Sequence, residues 1–440
     1  MNTGTQWINW SKSFTSKPDQ IVYPSTEQEL VQLVNDANNH NKKIKVVGSG
    51  HSCSLIAATN SGYLIDLKNY NNVIHFDAAN KLLTVQGGTS LQKIAEFSLA
   101  NNLALDNLGT IVEQSISGAI STGTHGSGLK HGALDQAVVA FTVITANGHL
   151  KIFDRRIDLT EFNLAVVGLG ALGIISSVTL QLVTNYQLKI NTTTLSFAEM
   201  ISKLDAPYND EYMRFWWAPH TDKVQYWKAT KTQHNIQKKS AATDWFNDIF
   251  KGNMLHELGL WLTSFRHKSI PLLNKTMYKL LLETETKDKV VNFLDGFTLP
   301  ILVKQKVMEY GIPIEETEAV LVKINKLFSK NKYKVHMPIE VRFAPKDESA
   351  LSMAHGTPTC YIGIIAYKPY GKVINFGSYF EDVHHIFAAH QGRPHWAKVT
   401  FYSKEQLAGM YPKWNEFNKL KQQLDPKEMF TNDFLKRLFD

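Results

Sequence analysis

KIKVVGSGHSCS, residues 43–54, is the stretch from which the rest of the chain is read. Ile44, Val46 and Val47 make a short β-branched strand. The strand runs straight into Gly48 and Gly50, with Ser49, Ser52 and Ser54 around His51. Glycines let a backbone approach a ligand closely, and successive N–H groups in such a turn can cradle a phosphate. Alone, this is also how an ordinary turn looks. SISGAISTGTHGSG, residues 115–128, repeats the chemistry, with glycines at 118, 123, 126 and 128 among hydroxyl side chains and with His125. Two glycine–hydroxyl loops, each holding a histidine, can clasp a diphosphate from two sides. Together they point to a bound nucleotide cofactor.

Outward from these loops, Ile21 to Leu188 alternates short strands with helices. TEQELVQLVNDANNHN has helical spacing from Thr26, with Ser25 or Thr26 as cap. TSLQKIAEFSLANNL, from Thr89, predicts a second helix. YLIDL, KLLTVQGG and AVVAFTVITANGHL predict strands. After Lys189 aromatic residues thicken and the βαβ rhythm is lost, which places a domain boundary near 185. A helical region is expected over about 255–330. MPIEVRF and TPTCYIGIIAY, within 337–367, predict strands.

The chain has 440 residues, 43% hydrophobic and 20% charged, which suits a globular protein of two domains. Net charge is +7, but the basic stretches Lys228–Lys239 and Lys268–Lys279 carry no nucleic-acid module signature and read as solvated faces. Two cysteines, Cys53 and Cys360, build neither a disulfide framework nor a CxxC metal site. With no apolar leader in MNTGTQWINWSKSF, the expectation is a cytoplasmic protein.

Two decoys need dismissal. The uncharged run Phe162–Leu188 is long enough for a membrane span. Its glycines, serines and β-branched GIISSVTLQLV fit a glycine turn entering a buried strand better. Within it, Gly168-Leu169-Gly170-Ala171-Leu172-Gly173 matches G-x-G-x-x-G. A dinucleotide fingerprint needs a helix after the glycines and an acidic residue further on. A strand follows here, so an NAD-type site is rejected. HELGLWLTSFRHKSIPLLNKTMYKLLLET is broken by Arg266, His267 and Lys268. It predicts an amphipathic helix pair, and its basic–apolar mix leaves peripheral membrane contact through 255–285 open.

VVGSGHSCS and NLGTIVEQSISGAISTGTHGSGLKHG closely resemble the FAD-binding domain of the sugar-lactone oxidases, a family holding L-gulonolactone, arabinonolactone and alditol oxidases. GLGALGIISSVTL, MPIEVRFAPKD, YKPYGK, RPHWAK and LDPKEMFTNDFLKRLF extend the resemblance to the C-terminus, and it is thinnest over 190–330. It implies an α+β, two-domain flavoprotein of the vanillyl-alcohol-oxidase/PCMH type. Residues 1–185 would bind FAD, and 186–440 would form the substrate domain, its C-terminal segment packing back on the first. It implies a covalent bond from His51 to the flavin 8α-methyl group. It also places Gly48, Ser49, Gly50, Ser52, Ser117, Gly118, Thr122, Gly123, Thr124 and His125 around the diphosphate, Ile174 near the adenine, and Gly109, Thr110 and His395 at the flavin.

In EVR, Glu340 and Arg342 share one face of a strand. Such a pair is usually a surface ion pair; the resemblance turns it into the lining of a substrate pocket, with Lys398 beside the flavin. Glu340, Arg342 and Lys398 are therefore the expected catalytic residues. Glycine at 109 is expected to leave O₂ a path to the flavin, making an oxidase that releases hydrogen peroxide. The expected substrate is an aldono-1,4-lactone oxidised at C2 towards an ascorbate-type product. The alternatives are an alditol such as xylitol or sorbitol, or an aldonolactone dehydrogenase with another acceptor. A non-catalytic flavin- or carbohydrate-binding module and a nucleic-acid binder are disfavoured by Glu340, Arg342 and Lys398 all being present.

Overall fold

The computed structural model describes residues 2–3, 6–236, 245–283, 285–330 and 332–439. Residues 237–239 of the expected basic stretch, and residue 284 of the 255–285 segment, lie outside the described residues.

Besides the small pair Trp7–Ile8 and Thr15–Ser16, two larger sheets form from the described residues up to Gln181. Gln20–Val22, Tyr63–Asp66 and Ile44–Val47 run parallel, with Asn2–Thr3 antiparallel at the outer edge. The helix Glu27–Asn39 covers this sheet, burying Leu30, Val34 and Ala37. It starts where expected, because Thr26 and Glu29 form a reciprocal capping box. The second sheet is antiparallel, in the order Leu150–Asp154, Val138–Ile144, Ile174–Gln181, Leu82–Gln86, Val73–Asp77. The uncharged run resolves into the helix Leu159–Ala165, a glycine turn and the strand Ile174–Gln181, whose residues alternate between core and partial exposure. No helix among the described residues is long and apolar enough to cross a membrane.

The third sheet is antiparallel and has eight strands. Their order is Thr286–Asn292, Gln187–Leu195, Lys223–Thr232, Tyr212–Ala218, Ile339–Ala344, Thr359–Tyr367, Gln305–Pro313 and Arg393–Pro394. Two of these correct the expected helical region at 255–330: Thr286–Asn292 and Gln305–Pro313 are strands, and helix is confined to shorter pieces such as His256–Thr263, Ile270–Met277 and Thr317–Ser329. Gln305–Pro313 is buried along almost its whole length, so it shows none of the alternation that marks a half-exposed strand.

The end of the chain returns to the first loop. Ala397 O accepts from Cys53 N at 2.7 Å and Ser54 N at 3.1 Å, and Ser54 Oγ donates to Trp396 O at 2.7 Å. Further along, Ile44 N donates to Met429 O at 2.8 Å, and Asn432 Nδ2 donates to Ala58 O at 2.7 Å.

Candidate active site

The two glycine–hydroxyl loops meet. Gly48 packs so tightly on Ser115 that a Cβ there would lie 2.0 Å from Ser115 Oγ; only glycine lets the loops close. Between them runs a narrow cavity lined by Gly48, Ser49, Gly50, His51 and Ser52 on one side and Ser117, Gly118 and Thr122 on the other. Its far wall is the dismissed G-x-G-x-x-G turn, through Leu169, Gly170 and Gly173. The turn thus serves a nucleotide cavity without a Rossmann helix. Ile174 departs from expectation. Its side chain is fully buried with Ile44, Ile65 and Phe430, and the neighbouring Ile175 faces the cavity, because successive strand residues point to opposite faces. Among the described residues, Lys45 is the one Lys, Arg, Asp or Glu lining this cavity. It is buried, donates to Phe430 O at 3.2 Å, and is pushed down to about 7 by burial.

His51 lies at one end, stacked on Trp10 with centroids 4.8 Å apart. Its buried Nδ1 has no hydrogen-bond partner among the described residues. Burial, then the charges of Lys398 and Lys304, push its pKa down to about 4, so the ring is a neutral imidazole at physiological pH. An unpaired, neutral ring nitrogen beside a phosphate-type cradle fits a cofactor attached there.

A second cavity, of about 620 Å³, lies against one face of the eight-stranded sheet. Gln114 lines both cavities, so they adjoin. The floor follows the register of the sheet. Trp216, Glu340, Gly363 and Glu309 sit opposite one another on four adjacent strands and line it, joined by Arg214 and Arg342 from the rung two residues away; Tyr361 and Gly311 complete that second rung without lining the cavity. Glu340 Oε1 accepts from Trp216 Nε1 at 2.8 Å and from Arg342 Nη2 at 2.7 Å. Arg342 also donates to Thr110 Oγ1, and its Nε has no partner among the described residues. Burial is the largest influence on Glu340 and raises its pKa. The charges of Arg342 and Arg214, with the two hydrogen bonds, outweigh it and hold the carboxyl below its ordinary value.

His395, Lys398, Gly109, Thr110, Thr124 and His125 line the same cavity. Thr124 and His125 thus line the larger cavity, while Thr122 lines the loop cavity. The short helix Ile116–Ser121 ends, Gly123 turns the chain at φ +68°, and the next two residues face the sheet; Gly123 itself lines neither cavity. His125 stacks on Tyr361 at 3.5 Å and shares a 2.7 Å hydrogen bond between Nε2 and Glu309 Oε1. Burial pushes His395 down to about 3, leaving a neutral ring whose Nδ1 accepts from Ala397 N. Lys398 Nζ has no hydrogen-bond or ion-pair partner among the described residues, but its charge acts on His51, Glu309 and His395. It is a free cation where the two cavities meet.

Sequence reading missed Trp216, Tyr361, Gly363 and above all Glu309. The one signal for Glu309 was a carboxylate inside the apolar VMEYGIP. Chemically, the site joins a nucleotide cleft to a polar floor of carboxylates and guanidinium groups, with an ammonium and a neutral imidazole at the junction. That arrangement suits removal of hydride and proton from a polyhydroxylated molecule.

The D-arabinono-1,4-lactone oxidase family matches residues 178–438, and the FAD binding domain family matches residues 18–154. The chain is 34% identical over 438 residues to L-gulonolactone oxidase of Scyliorhinus torazame, covering 99% of this chain and 98% of that one. It is 32% identical over 437 residues to L-gulono-1,4-lactone dehydrogenase of Mycobacterium tuberculosis, covering 98% of each. It is 28% identical over 483 residues to D-arabinono-1,4-lactone oxidase of Saccharomyces cerevisiae, covering 97% of this chain and 91% of that one. In fold it is similar to cholesterol oxidase from Brevibacterium sterolicum, with TM-score 0.82, 17% identity, and coverage of 99% and 97%.

Proposed function

The chain belongs to the D-arabinono-1,4-lactone oxidase family, and we propose that it oxidises the C2 hydroxyl of an aldono-1,4-lactone, of the L-gulono-1,4-lactone kind, to the 2-keto lactone, which enolises to an ascorbate-type product. It is a FAD-dependent oxidoreductase acting on a sugar lactone. The observation that carries the finer reading is the floor of the large cavity: Glu340 and Arg342 in register beside Trp216 and Gly363, with the free ammonium of Lys398 at the junction towards His51.

FAD, when bound, accepts the hydride leaving C2. Residues of the two loops would hold its diphosphate, and His51, whose ring is neutral and whose Nδ1 has no partner among the described residues, would carry it covalently. Arg342 and Lys398 grip lactone oxygens and place positive charge where negative charge develops. Glu340 is held ionised, so it accepts the C2 hydroxyl's hydrogen bond and orients the C–H. Its low basicity is sufficient. As hydride departs the hydroxyl becomes a strongly acidic protonated carbonyl, which even a weak base deprotonates.

We assign O₂ as the acceptor, with release of hydrogen peroxide. A Cβ at Gly109 would stand 3.3 Å from His125 O and 3.8 Å from Thr124 Cγ2, so a methyl group fits with a small adjustment and narrows the approach. One experiment tests these assignments. The holoenzyme is mixed anaerobically with L-gulono-1,4-lactone, and with xylitol in parallel, while the flavin absorbance is followed. The lactone is expected to bleach it and xylitol not; bleaching by xylitol alone moves the enzyme to alditol oxidation. On admitting air, colour and peroxide return, and Gly109→Ala slows the return about tenfold or more while leaving bleaching intact. An unchanged return rate removes Gly109 from the account of oxygen access.

We also place the enzyme in the cytoplasm, touching membranes through 255–285. There Leu258, Leu262, Phe265, Leu272 and Leu280 are exposed among the exposed Arg266, Lys268, Lys275 and Lys279. The double variant Leu262→Asp, Leu272→Asp is expected to abolish co-sedimentation with vesicles containing phosphatidylserine. Equal sedimentation of variant and wild type would refute the contact.

A further inference from the structure

Glu309 lies opposite Gly363, and Gly363 lies opposite Glu340, on three adjacent strands. A Cβ at Gly363 would meet Glu309 Oε2 at 3.3 Å and Glu340 Cβ at 3.7 Å. The absent side chain therefore leaves a small gap in the cavity floor between the Glu309 carboxylate and the Cβ of Glu340. Glu309 Oε1 is committed to His125 at 2.7 Å, while Oε2 has no hydrogen-bond partner among the described residues and borders this gap. Burial raises the pKa of Glu309, but the charge and hydrogen bond of His125, with the charge of Lys398, drive it well below the carboxylate range. The group is thus ionised and only accepts hydrogen bonds. It is also rigidly placed, since its strand is paired on both sides and its backbone O accepts from His395 N at 2.9 Å.

We propose that Glu309 is a specificity-determining residue, whose Oε2 accepts a hydrogen bond from a lactone hydroxyl other than the one oxidised. The inference rests on the lactone reading above. Glu340, Arg342 and Lys398 address the reacting carbon, and an aldonolactone still carries hydroxyls on its ring and side chain. A second carboxylate one strand spacing beyond Gly363 and two from Glu340 can receive one of these. It would favour polyhydroxylated substrates over alcohols lacking that group. A hydroxyl lost against a buried, ionised acceptor costs about 10- to 100-fold in binding.

The test uses the holoenzyme, Glu309→Gln and Gly363→Ala, with anaerobic flavin bleaching by L-gulono-1,4-lactone and its deoxy analogues at C3, C5 and C6. In the wild type one analogue should bind about 10- to 100-fold more weakly through the hydroxyl that Glu309 receives. In Glu309→Gln that one penalty should shrink to a few-fold while the other penalties persist. A structural role for Glu309 would instead weaken all substrates alike. Gly363→Ala, which keeps the Glu309–His125 pair and fills the gap, should erase the same penalty; it decides the matter if Glu309→Gln does not fold. Penalties identical in wild type and both variants overturn the assignment of Glu309. A wild-type flavin that no aldonolactone bleaches overturns the substrate reading itself.

Discussion

Lys398→Met yields a yellow protein that substrate no longer bleaches. The ammonium projects into the junction of the two cavities without a partner among the described residues, and it depresses the pKa values of His51, Glu309 and His395 together. It is therefore the cation best placed to meet the negative charge that hydride transfer would build on the cofactor, and to hold a lactone oxygen. Methionine keeps the length and apolar stem and removes only the charge and its donors. The rate of anaerobic bleaching is expected to fall about 1,000-fold, the scale of losing a positioned charge stabiliser. Flavin content stays at the wild-type level. The bonds from Cys53 N and Ser54 N to Ala397 O and from Ser54 Oγ to Trp396 O end on backbone, and a change at residue 398 does not touch them. Stopped-flow absorbance settles the point, and bleaching within about tenfold of wild type excludes Lys398 from the reaction centre.

His51→Ala makes all the flavin extractable. In the wild type, acid precipitation is expected to carry the yellow colour down with the protein; in the variant the colour is expected to stay in solution. The attachment needs a neutral ring nitrogen with nothing else bonded to it, and Nδ1 of His51 meets both conditions. The loops still hold the diphosphate, so the variant binds FAD reversibly and keeps the cavity. A wild-type protein that surrenders its flavin on denaturation would dispose of the covalent bond, while leaving the fold and the rest of the site unaffected.

How far the site could be read from the chain depends on how it is encoded. A phosphate cradle is contiguous: glycines and hydroxyls must follow one another within a few residues, and both loops were visible for that reason. Glu340 and Arg342 were visible because strand periodicity puts alternate residues on one face. Glu309, Tyr361, Gly363 and Trp216 join them only through pairing of strands far apart in sequence, and register is not written in any one strand. Gln305–Pro313 was read as part of a helical region because burial on both faces removes alternation. Ile174 turns its side chain into the core and Ile175 faces the cavity, since one position along a strand reverses the face. One left-handed turn at Gly123 takes Thr124 and His125 to the lining of the larger cavity.

The contact between Ser54 and Trp396 spans 342 positions of chain. The backbone that steadies the His51 loop is thus supplied by a segment far later in the sequence. Closing so long a loop of chain is entropically costly, so the contact depends on the sheets between being in place. The early strands can pair without it, but the His51 loop takes its final shape only once Trp396 and Ala397 have docked.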